Sequence, residues 1–120
     1  MLGDKAVIED CIFCRIIGKK LPAKFEYEDS EIVAIQDINP QAPVHILVIP
    51  RKHIAEINHM NENDRLLLGG LIFRAKELAR ERNVEDGYRV VLNNGAKAGQ
   101  SVFHIHLHLL GGRRMTWPPG

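Results

Sequence analysis

The chain has 120 residues, of which 45% are hydrophobic and 26% are charged, so it fits one folded domain and leaves little room for two. Its 16 Lys and Arg residues nearly balance its 15 Asp and Glu residues, which argues against a protein that binds nucleic acid through the phosphate backbone. No apolar run approaches the roughly 20 residues that span a bilayer, and acidic residues interrupt the start where a signal peptide would be apolar. We therefore expect a cytoplasmic protein without a membrane role.

The first half of the chain predicts one short helix followed by three strands. The helix covers Cys11 to Gly18, where apolar residues share one side. A weak strand covers Phe25 to Glu28. The β-branched run Glu31 to Ile38 predicts a second strand, which stops before Pro40 because proline lacks a donor and restricts the residue before it. His45 to Ile49 predicts a third strand, which a proline also ends.

The second half predicts one long helix and two further strands. The helix covers Met60 to Arg82, strands cover Tyr88 to Leu92 and Ser101 to Leu110, and a glycine-containing loop covers Asn93 to Gln100. Apolar residues at helical spacing predict the buried helix face: Leu67, Leu68, Leu71, Ile72, Ala75, Leu78 and Ala79. Strands that cluster around one long helix with short links indicate an α+β fold with an antiparallel sheet.

The last predicted strand carries three of the six histidines of the chain. His104, His106 and His108 alternate with apolar residues from Phe103 to Leu109, so the apolar residues should face the core and the imidazoles the other side. Same-face neighbours lie about 7 Å apart, too far for all three to bind one metal with Zn–N bonds of about 2 Å. We therefore expect the histidines to divide the work, with one as nucleophile and a neighbour as donor or proton carrier. The alternative is an ordinary polar strand face.

The loop before this strand is a candidate anion site. The glycines between Asn93 and Ser101 allow backbone N–H groups to approach an anion closely, and Ser101 adds a hydroxyl. A plain flexible turn would have the same composition, and the following histidines favour the anion site.

These segments together resemble a known family. The sequence His104-Ile-His-Leu-His108 is similar to the motif of the histidine-triad (HIT) superfamily. The segments Asp37 to His45, Val48 to His53 and Gly99 to Val102, and the ending Trp-Pro-Pro-Gly120, resemble its Hint branch. The resemblance extends from about residue 11 to residue 120.

The resemblance implies a fold and an assembly. Each subunit would be a single HIT domain over residues 1–120, with a HIT-like fold of five antiparallel strands and two helices. Two subunits would form a homodimer with one continuous ten-stranded sheet. The tail, residues 111–120, would contribute to the dimer active site, where Trp117 would approach the partner's site.

The resemblance also implies an activity. Hint proteins hydrolyse purine nucleoside phosphoramidates and acyl adenylates, and His106 would attack the phosphorus and become nucleotidylated before water releases the nucleoside monophosphate. His108 would contact the phosphate and move protons, and His45 would belong to a histidine relay. The implied substrate contacts divide by part: Asp37 and Ile38 at the ribose; Phe13, Leu21 and Ile35 at the purine base; Asn93, Gln100, Ser101 and Val102 at the phosphate.

Two other activities stay open at this stage. One is hydrolysis of dinucleoside polyphosphates, as in another HIT branch. The Trp-Pro-Pro-Gly ending, which resembles Hint proteins, argues against it. The other is nucleotide binding without catalysis.

The pair Cys11 and Cys14 has three interpretations. The two thiols could be buried core residues, a redox pair, or half of a zinc site. The redox pair lacks the βαβ context expected for it. Zinc-binding HIT relatives, including bacterial ones, imply that His53 and His104 complete a structural Cys₂His₂ set. We favour a structural zinc here, with chemistry that needs no metal.

Overall fold

The computed structural model describes residues 10–120. It contains two α-helices and five strands, given in chain order as α1 (Ile12–Ile17), β1 (Phe25–Glu28), β2 (Ile32–Gln36), β3 (Val44–Pro50), α2 (Arg65–Glu81), β4 (Tyr88–Leu92) and β5 (Leu107–Gly111). The strands form one antiparallel sheet in the order β1-β2-β3-β5-β4. The predicted α+β fold with five antiparallel strands and two helices is confirmed.

The central strand β3 separates two hydrophobic clusters. All seven of its residues are buried, and alternate side chains point to opposite faces of the sheet. Ile46 and Val48 join the cluster that α2 covers, and Leu47 and Ile49 join the cluster that α1 covers. The continuous apolar run in β3 follows from this burial on both faces.

Helix α2 is shorter than its apolar pattern predicts. It begins at Arg65 because residues 62–64 form a separate 3₁₀ turn, in which the side chains of Asn61 and Asp64 bond reciprocally to the backbone. Its buried residues are Leu71, Ala75, Leu78 and Ala79, with Leu67 and Leu68 packed at the edge. The assignment of Ile72 to the buried face is wrong, since its side chain is half exposed. A residue next to Leu71 lies about 100° around the helix from it.

The strand predicted from Ser101 to Leu110 is wrong over its first half. Strand pairing begins only at Leu107, and before it the N–H of Ile105 donates to the carbonyl of Ile54 at 2.7 Å instead of to a strand. Phe103 is therefore not a core residue and is 42% exposed, whereas Ile105, Leu107 and Leu109 are buried. Alternation alone did not reveal that the chain joins the sheet only after His106.

The predicted second strand is also too long. Strand β2 starts at Ile32, since the carboxylate of Asp29 accepts the N–H groups of Glu31 and Ile32 in a turn. It ends before Asp37, whose carboxylate accepts the N–H of Asn39 in the next turn. Over residues 10–120, neither helix has the length and apolar character needed to cross a membrane.

Candidate active site and metal centre

Four side chains from distant parts of the chain meet beside α1. Cys11 caps the helix, Cys14 lies in its first turn, His53 follows β3, and His104 precedes β5. The Nδ1 of His104 lies 3.3 Å from the Sγ of Cys11 and 3.5 Å from the Sγ of Cys14. The Nδ1 of His53 lies 3.4 Å from the Sγ of Cys14 and 3.2 Å from the Nδ1 of His104. The structure therefore brings together all four predicted metal ligands.

The spacing of these atoms fits a tetrahedral ion. With Zn–S bonds of about 2.3 Å and Zn–N bonds of about 2.0–2.1 Å, tetrahedral geometry places S and N about 3.6 Å apart and two N atoms about 3.3 Å apart. The four ligand atoms lie within 4.8 Å of one another, and the measured separations agree with the tetrahedral values. The donor set of two thiols and two imidazoles also suits zinc.

The hydrogen bond and the burial around the cluster favour binding of a cation. The Nε2–H of the fully buried His104 donates to the carbonyl of Pro50 at 2.7 Å, which leaves the Nδ1 lone pair directed at the thiols. Burial lowers the pKa of His104 to about 4, so the ring is neutral. Burial and the neighbouring Cys11 raise the pKa of the Cys14 thiol to about 12. Without a cation the Cys14 thiol stays protonated, and a bound metal would deprotonate it.

His106 is held in one orientation by the backbone beside this cluster. Its Nδ1–H donates to the carbonyl of His104 at 2.9 Å, and the ring of Phe13 packs edge-on against it with centroids 5.0 Å apart. Burial lowers the pKa of His106, although the hydrogen bond and the charge of Asp37 oppose that shift. The ring is therefore neutral, and its Nε2 carries the lone pair that a nucleophile needs.

A second group of histidines lies on the other side of His106. The rings of His106 and His108 have centroids 5.0 Å apart. The Nδ1 of His108 lies 2.9 Å from the Nε2 of His45, which also lies 3.4 Å from a carboxylate oxygen of Asp37. The backbone N–H of Gln41 donates to the Nδ1 of His45 at 3.0 Å. Burial lowers the pKa of His108 to about 4 and also lowers that of His45.

The predicted base-binding residues lie together. Phe13 and Ile35 are buried in the hydrophobic cluster on the α1 side of the sheet, and Leu21 and Val102 pack against it. Phe13 touches both His104 and His106. These residues form an apolar wall beside His106.

The predicted phosphate residues are arranged unequally. Gln100 is buried, and its side chain accepts the N–H of Gly95 at 2.7 Å and donates to the carbonyls of Ala55 at 2.7 Å and Val102 at 3.0 Å. Its side chain therefore fixes the conformation of the loop. Ser101 is exposed, and Asn93 is half-buried next to Gly99.

Two of the predicted contact residues are exposed on the surface of the single chain. Ile38 is fully exposed and Trp117 is 82% exposed. Asp37, which precedes Ile38, is half-buried against His45.

Sequence reasoning missed two groups that shape the site. The carbonyl of Pro50 and the backbone N–H of Gln41 each bond one ring nitrogen of a histidine. Both are main-chain groups, so they cannot be recognised from the residue types in the sequence.

Comparison with known proteins finds relatives that match most of the chain. The family model for the scavenger mRNA decapping enzyme C-terminal binding region matches residues 10–116. An uncharacterised HIT-like protein of Synechocystis is 50% identical over 93% of this chain and 98% of its own length. The crystal structure of a HIT family hydrolase from Legionella pneumophila is 53% identical, with a TM-score of 0.91 over 92% of this chain and 100% of that one. A HIT family hydrolase from Clostridium thermocellum is 47% identical, with a TM-score of 0.87 over 90% of this chain and 95% of that one.

Proposed function

The chain belongs to the histidine-triad (HIT) superfamily, and we propose that it hydrolyses purine nucleoside phosphoramidates and acyl adenylates in the manner of the Hint branch. One observation carries the proposal. The Nδ1–H of His106 is bonded to a backbone carbonyl, so the neutral ring presents a lone pair at Nε2. The centroid of this ring lies 5.0 Å from that of a second neutral imidazole, His108.

The first chemical step forms a bond between His106 and phosphorus. The Nε2 of His106 attacks, the bond from phosphorus to the leaving nitrogen breaks, and the leaving amine takes one proton from His108. That proton enters the site with the anionic substrate, because the phosphate and the Asp37 carboxylate offset the burial that keeps His45 and His108 neutral. The product of this step is a nucleotidyl group on His106.

The second step returns the enzyme to its starting state. A water oxygen attacks phosphorus, the bond to His106 Nε2 breaks, and His108 takes the water proton. The sum is one phosphoramidate and one water converted to one nucleoside monophosphate and one amine. Acyl adenylates follow the same two steps with a carboxylate as leaving group, which needs no proton.

The contacts around His106 support a nucleotide as substrate. Phe13, Ile35 and Leu21 form an apolar wall for a purine, and the Asp37 carboxylate suits ribose hydroxyls. Backbone N–H groups of the loop around Ser101 suit the phosphate. We assign these roles to the residues as part of the proposal.

A homodimer completes the proposed site. Trp117 and Ile38 are exposed in one chain. In the dimer the tail, residues 111–120, would bring Trp117 to the partner's active site, and the two five-stranded sheets would join into one ten-stranded sheet. Zinc would be held by Cys11, Cys14, His53 and His104, where it would supply a rigid link between α1, β3 and the segment before β5. The catalytic steps use imidazoles alone.

The test is turnover of an adenosine phosphoramidate that releases a fluorescent amine. We expect fast release by the wild type and a loss of at least about 10³-fold in His106→Ala, because removal of a nucleophile abolishes the covalent route. His59→Ala, at an exposed histidine outside the site, is the matched control and should keep full turnover. Mass spectrometry of the quenched wild type should show a nucleotidyl adduct on His106.

Three outcomes would contradict the proposal. Equal release by wild type and His106→Ala would show that His106 is not the nucleophile. No release by folded wild type, together with cleavage of a dinucleoside polyphosphate, would move the assignment to that substrate class. Nucleotide binding without any turnover would indicate a binding protein.

A further inference from the structure

We propose that, in the protein without substrate, the backbone N–H of Gln41 sets the tautomer of His45 and, through it, that of His108, so that the neutral His108 presents an N–H and only His106 presents a lone pair. Gln41 is thus a positioning residue, held by Arg113 of the tail. The catalytic consequence rests on the proposed function, whereas the tautomers themselves do not.

The argument starts at His45. Its Nδ1 accepts the N–H of Gln41 at 3.0 Å, and an amide N–H can only donate. The Nδ1 of His45 therefore carries no proton. A neutral imidazole has one N–H, so the proton of His45 sits on Nε2, between the Nδ1 of His108 at 2.9 Å and the Asp37 carboxylate at 3.4 Å.

The same reasoning fixes His108. Its Nδ1 receives the Nε2–H of His45, so it acts as an acceptor and is unprotonated. The single proton of neutral His108 then sits on Nε2, the nitrogen on the far side of the ring from His45. The effect passes from a main-chain amide at position 41 through two rings to position 108.

The adjacent ring of His106 is fixed in the opposite way. Its Nδ1–H donates to the carbonyl of His104, and its Nε2 has the lone pair. Two imidazoles with centroids 5.0 Å apart are thereby given different parts, one to attack phosphorus and one to donate to a phosphate oxygen. Without the Gln41 constraint both rings could present a lone pair, which would repel the substrate's phosphate oxygens.

The tail holds Gln41 in place. The Nε–H of Arg113 donates to the carbonyl of Gln41 at 2.8 Å, and the side-chain amide of Gln41 donates to the carbonyl of Asn39 at 3.0 Å. The adjacent Gly112 has a positive φ of 91° and lies so close to Pro43 that an added Cβ would come within 3.0 Å of it. The tail and the loop before β3 are therefore locked together around the N–H that faces His45.

A metal ion on this second group is the competing interpretation. Asp37, His45 and His108 offer ligand atoms within 4.8 Å of one another. Metal binding through the Nε2 of His45 would move its proton to Nδ1, against the N–H of Gln41. Metal binding by Cys11, Cys14, His53 and His104 requires no such proton shift, because the Nε2–H of His104 already donates to the carbonyl of Pro50.

The test reads the tautomers directly by two-bond ¹H–¹⁵N correlation spectra of the histidine rings in the whole protein, without substrate. We expect Nε2–H for His45 and His108 and Nδ1–H for His106 in the wild type. Gln41→Pro removes the N–H and should add the Nδ1–H form of His45 and His108. Gln41→Ala keeps the N–H and should leave the wild-type pattern.

A second variant keeps the proposal testable if Gln41→Pro does not fold. Arg113→Ala should shift the same two rings in the same direction by a smaller fraction, and Arg114→Ala, at the neighbouring arginine, should not. An Nδ1–H signal for His108 in the wild type would overturn the proposal, and so would an unchanged pattern in both Gln41→Pro and Arg113→Ala. Zinc added to the zinc-loaded protein should leave His45 and His108 unaffected, and binding there would favour the metal interpretation.

Turnover separates this proposal from the proposed function. If the wild type hydrolyses phosphoramidates, a folded Gln41→Pro should lose about 10-fold to 100-fold in kcat with little change in KM, since the lost group acts on His108 and not on binding. Expected tautomers in a protein without turnover would uphold the positioning role and reject the function. Normal turnover with altered tautomers would reject the catalytic consequence.

Discussion

Two histidine clusters lie on either side of His106, and they use the same side chain in opposite ways. In the first, the Nδ1 atoms of His53 and His104 converge with two thiols, separated by 3.2–3.5 Å. In the second, His45 and His108 pair nitrogen to nitrogen at 2.9 Å beside a carboxylate. The first arrangement suits a cation and the second suits a shared proton.

The difference comes from one backbone group in each cluster. The carbonyl of Pro50 takes the Nε2–H of His104 and frees its Nδ1 lone pair. The N–H of Gln41 occupies the Nδ1 of His45 and places the proton on Nε2. Which nitrogen is protonated decides whether an imidazole binds a metal or donates a proton, so a main-chain carbonyl and a main-chain amide assign the two chemistries.

The largest expected effect is on the first cluster. Replacing both Cys11 and Cys14 by serine should abolish zinc binding and lower the free energy of unfolding by about 3–5 kcal/mol, or about 10 °C or more in Tm, because the ion links segments far apart in the chain. Metal analysis and thermal unfolding measure this. A strong chelator should shift the wild type toward the variant and leave the variant unchanged. Purified wild type without metal, and with the same Tm in chelator, would contradict the zinc assignment.

An intermediate effect should separate the clusters by pH. The pKa of His108 in the folded protein is about 4, below its usual value near 6.5. The unfolded chain therefore binds more protons between these values, and stability that is complete above about pH 6.5 falls as the pH drops toward 4. His108→Gln should flatten the curve of Tm against pH by a few degrees over this window.

The matched control for that experiment is His59→Gln, at an exposed histidine, which should keep the wild-type curve. Because the first cluster is present in all three proteins, the difference between the curves reports His108 alone. A His108→Gln curve parallel to that of the wild type would contradict the burial of a neutral ring there.

The smallest effect concerns Phe13, which contacts His104 of the first cluster and His106. Its ring meets His104 at 5.9 Å and His106 at 5.0 Å between centroids, edge-on in both cases. Phe13→Leu keeps an apolar side chain and loses the aromatic contacts, so it should lower the free energy of unfolding by about 1 kcal/mol. Denaturant unfolding measures this, and the exposed Phe73 provides the control variant Phe73→Leu. Equal losses in both variants would mean that the edge contacts add nothing.

Local sequence patterns determined the fold class and most of the elements. The predicted bounds of β1 and β4 match the structure, and the helical stripe on α2 identified Leu71, Ala75, Leu78 and Ala79 correctly. These signals are local, since period and turn residues act over a few neighbours. Alternation then extended β5 too far, because it cannot show where a segment stops pairing and turns to Ile54 instead.

The sequence alone marked the three histidines as a candidate site and, through its resemblance to a family, named four candidate metal ligands. Only the tertiary structure brought Cys11 to His104 across 93 positions of the chain and placed Gln41 against His45. The residue type shows that a histidine has two ring nitrogens, but its neighbours in the sequence do not show which nitrogen carries the proton. That choice was made by backbone groups from other segments, since hydrogen bonds depend on where the folded chain places its donors and acceptors.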